Sequence, residues 1–322
     1  MTGPSEQDRL PPEVVPAAIL IAAIWGFNFV VIKVGVEGMP PLLLAALRFV
    51  FSAFPAVLFV KRPEAPLGSL AAYGLLLGVG EFGLLFTAIK LGAPAGLCSV
   101  LLQSQAFFTA ILGAAFMKEK LRPHNIAGMA VAGAGLAIFG LVAASGAAGS
   151  SGAAGSAGAG LSPVLIAMVL AAAASWAGAN VVARSMPRVG GLGLMVWSSI
   201  VSPLPLFGLS LALEGPAAIG GALSSIQPLT VGALFYLVVL STLVGYGLWN
   251  ALIMRHGAGK IAPFSLMVPV FALVASVLVL KESFGAAEAA ASLLVLAGLL
   301  VHAFGGKARL YRGSGGRYAR LG

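Results

Sequence analysis

"AAIWGFNFVVIKVG", residues 22–35, is apolar almost throughout, yet it carries Trp25, Asn28 and Lys33. A second stretch, "AAASWAGANVVAR" at residues 172–184, repeats its shape and places Trp176 on Trp25 at an offset of 151 residues. A second pair of stretches repeats further on. "FMKEKL" at 116–121 matches "VLKESF" at 279–284, with Lys118 on Lys281 and Glu119 on Glu282 at an offset of 163. The extra 12 residues fit the longer loop around 214–227. One pattern therefore occurs twice along the chain.

Composition fixes the solvent in which that pattern folds. The chain has 322 residues, 59% hydrophobic and 9% charged, with a mean hydropathy of +1.02. A soluble domain carries about 25% charged residues, so this chain has too little charge to coat a surface in water. Its solvent is lipid. Runs of about 20 apolar residues suit membrane-crossing helices. Ten are expected, at 14–34, 41–60, 68–90, 94–117, 123–144, 162–184, 191–213, 228–252, 258–280 and 286–304. The first run is too long for a signal-peptide core, so it is expected to stay as a helix. Prolines open several runs, where a missing N–H costs nothing. Pro55, Pro203, Pro205 and Pro269 fall inside runs and are expected to kink them.

"SGAAGSSGAAGSAGAG", residues 145–160, divides the chain near its middle and reads as a flexible linker. The expected organisation is a first repeat at 1–144, a linker at 145–161, a second repeat at 162–305 and a basic tail at 306–322. Five crossings in the first repeat force the second to insert upside down. The fold class is thus all-α and polytopic, ten crossings in two inverted repeats of five. Two mirrored halves can expose one central site to either side in turn, as transporters do.

Charge sets the orientation. The net charge of +9 comes mostly from basic clusters between apolar runs, which reads as membrane topology and excludes a nucleic-acid partner. With both termini in the cytoplasm, 15 lysines and arginines lie on that side and 3 on the other, with Arg48 inside a helix. The five basic residues after Phe304 read as an anchor at the membrane surface, in contact with anionic lipid. Cys98 is the single cysteine, so no internal disulfide forms; it reads as a packing residue.

Polar groups in lipid demand a partner or a cavity. At 1.5 Å per residue, Asn28, Arg48 and Glu81 lie about 9, 10 and 13 Å below the same face, so they can meet. Arg48 and Glu81 read either as a buried ion pair that fixes packing or as a gate, with Glu81 a candidate coupling-proton site. Asn28 reads either as a cargo contact or as an interhelical hydrogen bond. Gln103 and Gln105 are about 200° apart on an ideal helix, so Gln103 is expected to line a cavity and Gln105 to join helices. Thr242, Tyr246, Trp249 and Asn250 form one stripe; Trp249 suits an interfacial belt, whereas Thr242 and Tyr246 lie deeper. Trp25 and Trp176 share a packing role, and His302 anchors near a helix end. "GVGEFG" at 78–83 has no strand before it and reads as close helix packing. "GAGK" at 257–260 lacks the rest of a P-loop. No metal-ligand cluster, cofactor motif or Ser/His/Asp arrangement is visible, so neither a cofactor nor an enzyme is expected.

Four stretches carry a family resemblance: "WGFNFVVIKVGVEGMPPLLLAALRF" (25–49), "LLQSQAFFTAILGA" (101–114), "VGYGLW" (244–249) and "APFSLMVPV" (262–270). The chain resembles the EamA-type exporters of the drug/metabolite transporter superfamily, above all the bacterial branch that exports O-acetylserine and cysteine. Glu81 departs from that branch, where a neutral amide is expected. The resemblance implies a secondary transporter of the bacterial inner membrane that exports a small amino acid or metabolite by alternating access. The expected cargo site is Trp25, Asn28, Arg48, Glu81, Gln103, Thr242 and Tyr246. Other amino acids, purines or drugs are the alternative cargo; a membrane enzyme or passive channel is the alternative class.

Overall fold

The computed structural model describes residues 11–149, 162–186 and 190–315. Among these residues, nine helices are long and apolar enough to cross a membrane, and a bent pair supplies a tenth crossing. In chain order the crossings are α1 (Val14–Gly38), α2 (Pro41–Leu58), α3 (Leu67–Lys90), α4 (Ala95–Met117) and α5 (Pro123–Ser145). After the midpoint come α6 (Pro163–Ser185), α7 (Gly191–Ser198 with Pro203–Leu213), α8 (Pro228–His256), α9 (Ala262–Leu280) and α10 (Ala286–Gly305). A turn of helix, Ala258–Ile261, leads into α9.

Local chemistry explains most boundaries. Proline opens α2, α5, α6 and α8, where its fixed φ suits a first turn. The Ser162 hydroxyl accepts the Leu165 N–H at 3.3 Å and caps α6. The prolines expected to kink helices stand at interruptions within their crossings. Regular helix in α2 stops at Ala53, and Pro55 precedes the short turn Ala56–Leu58. Pro203 and Pro205 lie in the first turn of the second α7 segment, after a bend of 45°. Pro269 is the second residue of the segment Val268–Ala275. Helix α5 runs on to Gly149, into the Ala-rich start of the expected linker; residues 150–161 lie outside the described residues. The α10 helix likewise continues to Gly315, while Arg317, Arg320, Arg9 and Arg188 lie outside them.

The packing repeats with the sequence. Helix α1 packs on α8 and α9, and its counterpart α6 packs on α3 and α4. Helix α2 packs on α7, and α5 on α10. Each contact maps onto another, or onto itself, when the halves are exchanged. Small details repeat too. Lys118 and Lys281 both take left-handed backbone, with φ of 56° and 58°. The next residue's N–H then reaches back to a carbonyl six residues earlier, Glu119 to Gly113 at 3.3 Å and Glu282 to Ser276 at 3.2 Å. Each half also holds one nine-residue π-helical stretch mid-membrane, Leu75–Gly83 in α3 and Tyr236–Val244 in α8.

Small residues bring the helices close. A Cβ at Gly80 would overlap Ser175 of α6, and one at Gly78 would overlap Ser202 of α7. This accounts for the glycine spacing in "GVGEFG" as packing. Large apolar side chains such as Leu58, Leu204 and Met254 stand exposed on the outside, as a lipid solvent permits. Arg48 is the largest fully buried side chain.

Candidate functional site

The crossings enclose a cavity of about 650 Å³ where the halves meet. Of the residues expected at the site, Trp25, Asn28, Arg48, Glu81, Gln103 and Tyr246 line it. The π-helical stretch of α3 carries Glu81. An extra residue in a turn rotates the rest of the helix relative to the part before it, and such turns often occur at functional positions.

Arg48 is buried on α2 and held from two sides. One Nη2–H donates to Thr242 Oγ1 at 3.2 Å, and the guanidinium carbon lies 3.9 Å from the Phe82 ring centre. Arg48 Nε and Nη1 have no hydrogen-bond partner, nor do Glu81 Oε2 and Asn28 Oδ1. The expected Arg48–Glu81 ion pair is not made; an ion pair is found instead between Arg184 and Glu119. Nor does the Asn28 carbonyl join two helices. The cavity is thus lined by a guanidinium, a carboxyl group and an amide, each with a buried polar atom that lacks a hydrogen-bond partner and is costly to bury that way.

Three placements differ from expectation. Thr242 does not line the cavity; it stands behind Arg48 and donates to the Leu237 carbonyl at 2.8 Å, filling the loose π-turn of α8. Gln105 does line the cavity, together with Gln103. Helix α4 breaks between Leu102 and Gln105, so the ideal-helix angle between the two glutamines does not apply. Gln105 also accepts from Asn180 Nδ2 at 2.9 Å, joining α4 to α6. Trp249 faces the cavity and not lipid: Trp25 packs against it at 5.1 Å and against Tyr246 at 5.4 Å. The Trp25 indole N–H donates to the Ser241 carbonyl at 3.1 Å. Trp176 and Asn180 on α6 complete the opposite wall. Asn180 was legible by the rule that picked out Asn28, an amide inside an apolar run.

The cavity is open at one end. Ten crossings put both chain ends on one face, the terminal face, and the segment between the halves on the other, the linker face. Ser265 and His302, near the terminal face, border the cavity. His302 packs its ring on Phe107 at 5.3 Å. A second cavity of about 400 Å³ adjoins it there, sharing Gln105 and His302 and reaching Glu119 and Arg184.

The linker face is stapled shut. Glu282, after α9, accepts the N–H groups of Ala95 at 2.7 Å and Gly96 at 3.0 Å at the start of α4. Glu214, at the end of α7, accepts those of Leu42 at 2.7 Å and Leu43 at 3.3 Å at the start of α2. Lys90 of α3 donates to the carbonyls of Val36 and Glu37 at the end of α1. Carboxylates suit helix N-termini, and an ammonium suits a C-terminus.

Comparison with known proteins agrees with this architecture. Two relatives are each named "Probable amino-acid metabolite efflux pump". The one from Salmonella typhimurium LT2 is 42% identical over 296 residues, covering 91% of this chain and 95% of that protein. The one from Escherichia coli K12 is 40% identical over 292 residues, covering 89% and 94%. A "Probable terminal-alkyne amino-acid exporter" from Streptantibioticus cattleyicolor is 26% identical over 274 residues, covering 83% and 85%. A crystal structure at 19% identity, covering 90% of this chain and 96% of its own, superposes with a TM-score of 0.54 and so shares the fold. The model of the EamA-like transporter family matches residues 14–141 and again 163–304, once per half. With both halves matched, this multi-pass membrane chain belongs to the EamA-like transporter family.

Proposed function

We propose that the protein exports small zwitterionic amino acids, of the O-acetylserine and cysteine class, across the bacterial inner membrane by alternating access. The observation that carries this reading is the trio of unsatisfied groups around one cavity, Arg48 Nε and Nη1, Glu81 Oε2 and Asn28 Oδ1. A zwitterion supplies what they lack. Its carboxylate answers the guanidinium, its ammonium answers the carboxylate, and an amide carbonyl accepts from an ammonium. The names of the two efflux-pump relatives support the cargo class. The repeated packing of the halves supports alternating access. Both termini lie in the cytoplasm, so the cavity faces the compartment from which cargo is collected.

The test is counterflow. Proteoliposomes preloaded with unlabelled cysteine or O-acetylserine should transiently accumulate the labelled compound. The panel extends to aromatic amino acids and purines, because Trp25, Tyr246 and Trp249 offer ring faces and 650 Å³ exceeds one cysteine. Exchange confined to purines or to cationic drugs overturns the zwitterion reading.

A further inference from the structure

We infer that Glu119 and Glu282 are paired latches that exchange partners when the transporter turns. The inference rests on the alternating-access reading above and adds a mechanism for it. The two glutamates are equivalent by sequence and by backbone: each succeeds a left-handed lysine, Lys118 or Lys281, and each closes the same six-residue return. Their partners nevertheless differ. On the closed linker face, Glu282 grips two backbone N–H groups of the other half, those of Ala95 and Gly96. On the open terminal face, Glu119 pairs instead with Arg184 of the other half at 3.1 Å, with both side chains exposed by 40% or more.

The repeat supplies the missing states. Carried over at the offset of Lys118 and Lys281, residues 95 and 96 fall on 258 and 259, in the turn that leads into α9. Carried over at the offset of Trp25 and Trp176, Arg184 falls on Lys33 at the linker-face end of α1. Among the described residues, Lys33 has no carboxylate within ion-pair distance in this state. Applying the repeat to both contacts gives the exchanged state. Glu119 leaves Arg184 and grips the N–H groups of residues 258 and 259, closing the terminal face. Glu282 leaves α4 and pairs with Lys33, opening the linker face. On either face the carboxylate grips backbone when closed and the basic residue when open. The closed grip is the stronger, because it makes two charge-assisted hydrogen bonds, whereas the open pair is screened by water.

The latch fixes the sign of each mutational effect. Glu282→Gln weakens the linker-face grip and moves the population towards the state open at that face. Glu119→Gln weakens the terminal-face grip and moves it the other way. Arg184→Gln removes support for the present state and acts in the same direction as Glu282→Gln, more weakly. Lys33→Gln acts in the same direction as Glu119→Gln.

The test measures both gates by electron–electron spin distances in nanodiscs without cargo. The background is Cys98→Ala, which removes the single cysteine. One label pair is Leu91→Cys with Ser283→Cys on the linker face; the other is Lys120→Cys with Arg255→Cys on the terminal face. All four positions are exposed. The expected result is two distance populations. Their ratio shifts at least fivefold in opposite directions for the two glutamate variants, and less for Arg184→Gln and Lys33→Gln, with the stated signs. Populations that exist but shift the same way in Glu119→Gln and Glu282→Gln, or that ignore both, overturn the latch and leave alternating access standing. A single population in every variant overturns both. Should either glutamate variant fail to fold, opposite shifts in Arg184→Gln and Lys33→Gln still support the latch, and equal shifts overturn it.

Discussion

Arg48 is a permanent cation with two of its three nitrogens unmet. Its other bond, to Thr242 across the junction of the halves, fixes where the free edge points. That predicts a graded pair of variants. Arg48→Lys keeps the charge but loses the planar fork that can hold a carboxylate with two parallel bonds. Counterflow of a zwitterionic cargo should then require at least tenfold more substrate. Thr242→Val leaves Arg48 in place without its anchor; one hydrogen bond is worth about 0.5–1.5 kcal/mol, so the loss should be about two- to tenfold. Equal effects of the two variants would count against Arg48 as the cargo contact. Glu81 separates two further possibilities. If it exchanges a proton for cargo, Glu81→Gln needs more cargo for equilibrium exchange, having lost the ammonium's partner, and what exchange remains is no longer accelerated by an imposed pH gradient. Full gradient response in Glu81→Gln removes the proton role.

At the scale of elements, the same small residues that let α3 approach its neighbours leave it no room to change. A methyl group at Gly80 overlaps Ser175, whose hydroxyl donates to the Leu76 carbonyl at 2.8 Å. Overpacking of this kind costs about 1–3 kcal/mol, so Gly80→Ala should lower the melting temperature in detergent by several degrees. Adding Ser175→Gly should restore part of it; no restoration would place the strain elsewhere. The crossings themselves were legible in the sequence, since a run of about 20 apolar residues has few other homes. The shared depth of Asn28, Arg48 and Glu81 was legible too, because rise per residue is constant along a helix. Helix interruptions were not. The π-helical stretches of α3 and α8 take hydrogen bonds from other helices, the Ser175 hydroxyl on the Leu76 carbonyl and the Trp25 indole N–H on the Ser241 carbonyl. Spacing on an ideal helix therefore misjudged Gln105. It also treated Thr242 as lining when its partner is Arg48.

Across the whole molecule, the direction of transport depends on which compartment the open cavity faces. The staples made by Glu282, Glu214 and Lys90 close the linker face, so under the function proposed above cargo enters from the side of the chain ends. The distribution of lysine and arginine in the sequence bears on which compartment that is. Read from the sequence, the expected division is fifteen with the chain ends against three on the other side, and such a bias favours the cytoplasm for the chain ends. A fluorescent protein fused after Gly322 should therefore fold and fluoresce, since it matures in the cytoplasm and not after export. Alkaline phosphatase inserted at residue 150 should be active, since it needs the oxidising side. The reverse pattern would make the present state the one that releases cargo outside, and the protein's resting form would then have to be sought with Glu119 gripping the turn before α9.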